Sequence, residues 1–302
     1  MQVFYCDHFE LPLPDGHRFP ITKYRATREL VQSRLGESVS LRAAPAASDE
    51  QLQRVHDASY LNSVSQGTLS ELDQKRIGFP WSRKMLQRSL RSTGATVATS
   101  LAALDDSIAV HLSGGTHHAF ADQGQGFCVF NDVAVAAQEL LTRPSIRRIL
   151  VVDLDVHQGN GTASIFSGNP HVFTFSMHGD RNYPFRKTNG DLDIGLPDGT
   201  TDEQYLSELQ LVFDSGLPLS ETDFAFYVAG ADPFHGDRMG RIKMTKEGLR
   251  QRDRYVLNEL RQRSIPTAVV MGGGYAEVAD VAEIHFNTVQ EAFDCFTADK
   301  DA

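Results

Sequence analysis

The sequence predicts one α/β domain spanning residues 1–302, with a mostly parallel central sheet flanked by helices. Three observations lead there. Short β-branched or apolar runs alternate with longer segments of helical character, the order of βαβ units. The runs are apolar on nearly every residue, as strands covered on both faces are. Chemically versatile polar residues fall just past the carboxyl ends of those runs, where ligands of open parallel sheets bind.

In chain order, the predicted strands are residues 108–112, 149–153, 172–175, 224–228 and 267–271. The clearest predicted helices are 132–141, 202–213, 246–261 and 276–293. Residues 178–201 are rich in Gly, Asp, Asn and Pro without a clear period. A loop of that length is either functional or a surface excursion, and Tyr183, Pro184 and Phe185 within it are candidates to wall a channel. No internal repeat or interdomain linker divides the chain.

Composition narrows the function. Hydrophobic residues make up 41% and charged residues 23% of the chain, and no apolar run approaches the roughly 18 residues of a membrane helix. The first residues lack the basic and apolar regions of a secretory signal, so a cytoplasmic location is the expectation. Three cysteines, Cys6, Cys128 and Cys295, with no Cys-x-x-Cys spacing indicate neither a disulfide framework nor a thiolate metal site. A net charge of -10 argues against nucleic acid and mildly favours cationic substrates such as lysine side chains or polyamines.

Four strings carry the chemistry: Gly114-Gly115-Thr116-His117-His118, Asp153-Leu154-Asp155-Val156-His157, Gly230-Ala231-Asp232 and Gly272-Gly273-Gly274-Tyr275. Asp155 and His157, two apart at a strand end, point to the same side and with Asp232 supply three oxygen and nitrogen ligands. That leaves a fourth position on a zinc ion open, the pattern of a mononuclear zinc hydrolase. Asp153, on the same side, needs a partner if buried. His117 and His118 are suited to proton transfer beside the metal, with Asp153 and Asn160 as candidates to fix their tautomers. Tyr275 is either a packed residue at a glycine-rich turn or a hydrogen-bond donor to an oxyanion.

These residues resemble the zinc-dependent histone deacetylase family and its bacterial-type and acetylpolyamine amidohydrolase relatives. The resemblance runs from about Asp15 to Tyr275 and includes Gly115-Thr116-His117-His118-Ala119, Gly126 to Asp132, Asp153 to Gly161, Gly230-Ala231-Asp232-Pro233 with Gly236-Asp237, and Gly273-Gly274-Tyr275. It implies an arginase/deacetylase-like fold and an amidohydrolase that removes an acyl group from the Nε of acyl-lysine. Asp155, His157 and Asp232 would hold Zn2+, with His118 as general base and acid. His117 paired with Asp153 would be the electrostatic partner, and Tyr275 would stabilise the tetrahedral intermediate. The resemblance also implies a monovalent cation, K+, near Asp153, Asp155, His157 and Ser176, and substrate contacts at Gly126, Phe127 and Gly273.

Two features depart from the commoner family pattern. Asn160 stands where many members have Asp, which lowers the basicity expected of His118. The lead-in Leu112-Ser113-Gly114-Gly115-Thr116 replaces an Arg-Pro version and, with Gln158 and Asn160, is similar to the class IV branch, some of whose members favour long acyl chains. Hydrolysis of acetylpolyamines or other small acylated amines is the alternative, and a non-catalytic acyl-lysine binding module a lesser one. A dinuclear arginase-like site is disfavoured, because the required Asp two residues after the ligand histidine is Gly159 here.

Overall fold

The computed structural model describes residues 1–9 and 11–298, so residues 10 and 299–302 of the predicted domain lie outside it. Eight strands form a single sheet: β1 (Gln2–Tyr5), β2 (Ser40–Ala43), β3 (Ile108–His111), β4 (Ile149–Asp153), β5 (Val172–Gly179), β6 (Leu192–Leu196), β7 (Phe224–Ala229) and β8 (Thr267–Met271). Their order is β2-β1-β3-β8-β7-β4-β5-β6, and every neighbouring pair is parallel. The predicted α/β class holds, with a sheet that is parallel throughout.

Strand alternation sends successive side chains to opposite faces, and two apolar cores result. On one face Leu150, Val152, Tyr227 and Val269 pack with residues of α1 (Lys23–Arg34), α8 (Asp202–Ser215), α9 (Lys246–Gln262) and α10 (Val278–Ala298). On the other, Ile149, Val151, Phe226 and Ala268 pack with α3 (Ala58–Gln66), α4 (Glu71–Ile77), α5 (Arg83–Asp106) and α6 (Asp132–Leu140). Two short helices complete the described set, α2 (Asp49–Gln53) and α7 (Asn160–Ile165). Among the described residues no helix is long and apolar enough to cross a membrane.

The five predicted strands and four predicted helices are present. Differences concentrate elsewhere. β6 lies inside the segment read as aperiodic, because only Leu196 of its five residues is buried and the strand has no apolar run to betray it. β5 continues through Ser176 to Gly179.

The chain leaves β3 and next enters the sheet at β4, with β8 and β7 between them. Beyond the carboxyl ends of these four strands the connecting loops diverge and open a crevice. His117 and His118 follow β3, Asp155 and His157 follow β4, Asp232 follows β7, and Tyr275 follows β8.

Candidate metal centre and active site

The loop after β3 is shaped by a buried carboxylate. Asp132, at the start of α6, accepts from the backbone N–H of Gly115 at 3.1 Å, the N–H of Thr116 at 2.7 Å and the Thr116 hydroxyl at 2.6 Å. Gly114 and Gly115 both take positive φ, 86° and 63°, which a residue with a Cβ adopts only at a cost. This turn delivers His117 and His118 into the crevice.

His117 Nδ1 lies 2.6 Å from Asp153 Oδ2, and His118 Nδ1–H donates to Asn160 Oδ1 at 2.7 Å. Burial disfavours charge on His117, but the charges of Asp153 and Asp155 and the Asp153 hydrogen bond outweigh it and push its pKa up to about 9. His118 goes the other way. Burial, with the positive charges of His117 and His157, holds it well below the usual imidazole range, against a weaker opposing effect of Asn160. One histidine is therefore a cation and its neighbour a neutral base whose Nε2 is free to accept a proton.

Asp155, His157 and Asp232 converge, with one donor atom from each within 4.8 Å of the others. His157 Nδ1 is 3.0 Å from Asp155 Oδ1 and 3.0 Å from Asp232 Oδ2. A tetrahedral ion with bonds of about 2.0–2.1 Å sets its donors about 3.3 Å apart, so these three fit such an ion. Their electrostatics fit as well. Burial and the charge of Asp155 push Asp232 up to about 7, while its two carboxylate neighbours overcome burial to push His157 up to about 10. Two buried carboxylates facing one imidazole hold more negative charge than a single proton offsets. The spare carboxylate oxygens are fixed by backbone: Asp232 Oδ1 accepts from Val156 N–H at 2.8 Å and Asp155 Oδ2 from Gly273 N–H at 2.5 Å.

Gly159 carries a second message about the metal. A Cβ there would stand 2.3 Å from Asp153 Oδ2 and 3.3 Å from His117 Nδ1. The chain therefore lacks a second-metal ligand at this position and leaves no room for one.

A cavity of about 330 Å³ rises from this centre to solvent and is lined by His118, His157, Gly126, Phe127, Tyr183 and Tyr275 among others. Phe127 holds φ at 67°, a strained value for a bulky residue, while its N–H donates to Ile77 O at 2.7 Å. Tyr183 stacks edge-on to His118 with centroids 4.9 Å apart, and Phe185 stands at the mouth, 86% exposed. The Tyr275 N–H donates to Asp237 Oδ2 at 2.6 Å, and its ring sits 6.1 Å from that of His157. Burial raises the phenol's pKa well above its ordinary value, so it is a donor throughout the working range.

Some predicted residues stand apart from this group. Gly273 does not line the cavity; its N–H and carbonyl are taken by Asp155 and Ala231, and a Cβ there would overlap Asp232. Ser176 is the ladder partner of Asp153, with Oγ 2.9 Å from His178 Nδ1.

The structure also recruits residues to which the sequence reading gave no role. Arg252 of α9, fully buried, donates to the carbonyls of Leu154 at 3.1 Å and Gly230 at 2.8 Å, tying together the two loops that carry the metal donors. Lys23 of α1, 1% exposed, donates to Gly274 O and lies 5.2–5.3 Å from the ring centroids of Phe19, Tyr24 and Tyr275. A single basic residue in a helix has no pattern that marks it as internal.

A family profile described as "Histone deacetylase domain" matches residues 17–291. The chain belongs to the histone deacetylase family. An uncharacterised protein of Picosynechococcus is 43% identical over 276 residues, covering 91% of this chain and 92% of that protein. Histone deacetylase 2 of Arabidopsis thaliana is 29% identical over 86% of this chain and 70% of its own length. A histone deacetylase-like amidohydrolase of Pseudomonas aeruginosa is 29% identical over 88% and 74%. As a member of this family the chain is a hydrolase acting on amides.

Proposed function

We propose that this deacetylase-family hydrolase is zinc-dependent and removes an acyl group from the Nε of acyl-lysine. The observation that carries the reading is the convergence of Asp155, His157 and Asp232 at the foot of a cavity that His118 and Tyr275 also line. Bound there, zinc supplies Lewis acidity toward the acyl carbonyl and the attacking water.

The chain's own groups do the rest. His118 Nε2 takes a proton from the attacking water and returns it to the departing lysine amine. The His117 imidazolium, anchored on Asp153, places positive charge beside the carbon where the oxyanion develops, and the Tyr275 phenol donates to that oxygen. Asp237 fixes the backbone from which Tyr275 projects. Gly126 presents its carbonyl to the substrate N–H, and Phe127 flanks the lysine stem. Asn160, being neutral, leaves His118 a weaker base than a carboxylate partner would.

Acetyl-, octanoyl- and myristoyl-lysine peptides, offered to metal-stripped and zinc-restored protein beside an acetylpolyamine, test this. Zinc-restored turnover of at least one peptide is expected. Loss of all peptide hydrolysis with zinc in place would refute it. A K+ site beside Asp153 and Ser176 is part of the same proposal, and equal turnover in potassium and choline buffers would remove it.

A further inference from the structure

The mouth of the cavity carries the opposite charge to the protein as a whole. Arg18, Lys75 and Arg76 line it, all three exposed, and no carboxylate is among the lining residues. The chain's net charge is -10, so three cations at this one opening, offset only by the Asp73 carboxylate that pairs with Arg76, are a local inversion. Arg76 is shared with Asp73 at 3.0 Å and Gln123 at 2.8 Å. Arg18 and Lys75 have no hydrogen-bond or ion-pair partner among the described residues.

Their placement is built in. The last carbonyls of α4 hold the channel backbone: Arg76 O accepts from Gly126 N–H at 3.0 Å and Ile77 O from Phe127 N–H. Lys75 and Arg76 therefore leave the helix at the edge of the channel. His17, the neighbour of Arg18, bonds Gly78 O at 2.9 Å and brings the third cation to the same lip from a separate segment. Favourable interaction with the C-terminal dipole of α4 accounts for basic residues at 75 and 76. It accounts neither for Arg18 nor for the lack of carboxylates among the lining residues.

We propose that this lip selects acyl-lysine within acidic peptide sequence, so that Asp or Glu residues flanking the acyl-lysine pair with Arg18, Lys75 and Arg76, and that it disfavours basic tails and acetylpolyamines. The inference rests on the acyl-lysine reading above. It reverses the expectation drawn from net charge, because screening limits the reach of charge to about 8–10 Å in ordinary buffer and the nearest charges decide. Position favours flanking residues over the acyl group, since the cations stand at the opening and the metal donors at its foot.

The test compares kcat/KM for three acetyl-lysine peptides differing only in flanks of Asp, Ala or Lys, together with an acetylpolyamine, using zinc-loaded protein. Exposed pairs contribute a few-fold each, so an acidic-over-basic preference of about tenfold is expected at low salt, shrinking as salt rises. An Arg18→Glu, Lys75→Glu double variant, both changes being on the surface, is expected to invert the order. Equal rates, or a preference for basic flanks or the polyamine, would overturn the inference while hydrolysis itself sustained the proposed function. Absence of hydrolysis of every peptide would overturn both.

Discussion

Replacing Arg252 by Met, which preserves volume and removes the charge, probes the scaffold beneath the metal donors. In the folded protein the guanidinium bonds Asp253 through Nε at 2.9 Å and donates to the carbonyls of Leu154 and Gly230. The substitution leaves the Asp253 carboxylate buried with only the hydroxyls of Tyr227 and Thr288 for partners. It also removes the guanidinium donor from the Leu154 and Gly230 carbonyls. Breaking a buried ion pair from one side costs about 3–5 kcal/mol, so about 4 kcal/mol is expected, with the lost carbonyl hydrogen bonds adding to it. For a chain of this size that lowers the melting temperature by about 8 °C or more. Because Leu154 immediately precedes Asp155 and Gly230 lies two residues before Asp232, loosening them should also weaken zinc binding by about 10–100-fold, the usual effect of losing a support behind a ligand. Urea unfolding of the metal-free protein reads the first effect, and zinc titration of the same protein under native conditions the second. Wild-type values on both would show that Arg252 neither stabilises the core nor positions the donors.

Tyr275→Phe should lower turnover by about 10²–10³ while zinc content stays at one per chain, since the lost group is a single oxyanion donor; near-normal rates on an acyl-lysine peptide would refute its role. Gly159→Ala drives a methyl against Asp153 Oδ2 and should cost roughly 10²-fold in turnover with metal retained, because small displacements of catalytic groups are expensive; unchanged kinetics would show that the His117–Asp153 contact is dispensable. His56 is held neutral, its pKa lowered to about 4 mainly by burial, against weaker opposing hydrogen bonds that its Nδ1–H donates to the Ala121 and Phe120 carbonyls. Its unfolded form titrates near 6.5, so stability is complete above that pH and falls as pH drops toward 4, by about 3 kcal/mol in total. Urea unfolding at pH 7 and pH 4.5 should therefore show a larger loss in the wild type than in His56→Gln, and equal losses would contradict this.

Much of the centre of the molecule was legible in the sequence, and the reason is burial on both faces. Residues 149–153 and 267–271 stand in the structure where their unbroken apolar runs put them, and the positions just past strands β3, β4, β7 and β8 follow from that. The first hundred residues were opaque for physical reasons. β1 and β2 have four residues each, and β2 buries none of its four. The long helix α5 packs Ser92, Thr93, Thr96, Thr99 and Ser100 inward, which erases the apolar stripe that marks a helix. In the candidate site, the residues that the structure brings together and that belong to short sequence motifs were legible. Lys23 and Arg252, which reach the same loops from distant helices, were not, because what singles them out is their burial beside loops far away in sequence. The charge of the cavity lip was not legible from composition, because a net charge sums over the surface, whereas Arg18, Lys75 and Arg76 come to the lip from two separate segments.

The most direct test of the central claim is the zinc K-edge absorption spectrum of the zinc-loaded protein. One ion held by Asp155, His157 and Asp232 predicts a shell of oxygen and nitrogen donors at about 2.0–2.1 Å with the scattering of a single imidazole. A sulfur shell near 2.3 Å, two or more imidazoles, or a metal–metal distance of about 3.5–4 Å would contradict it.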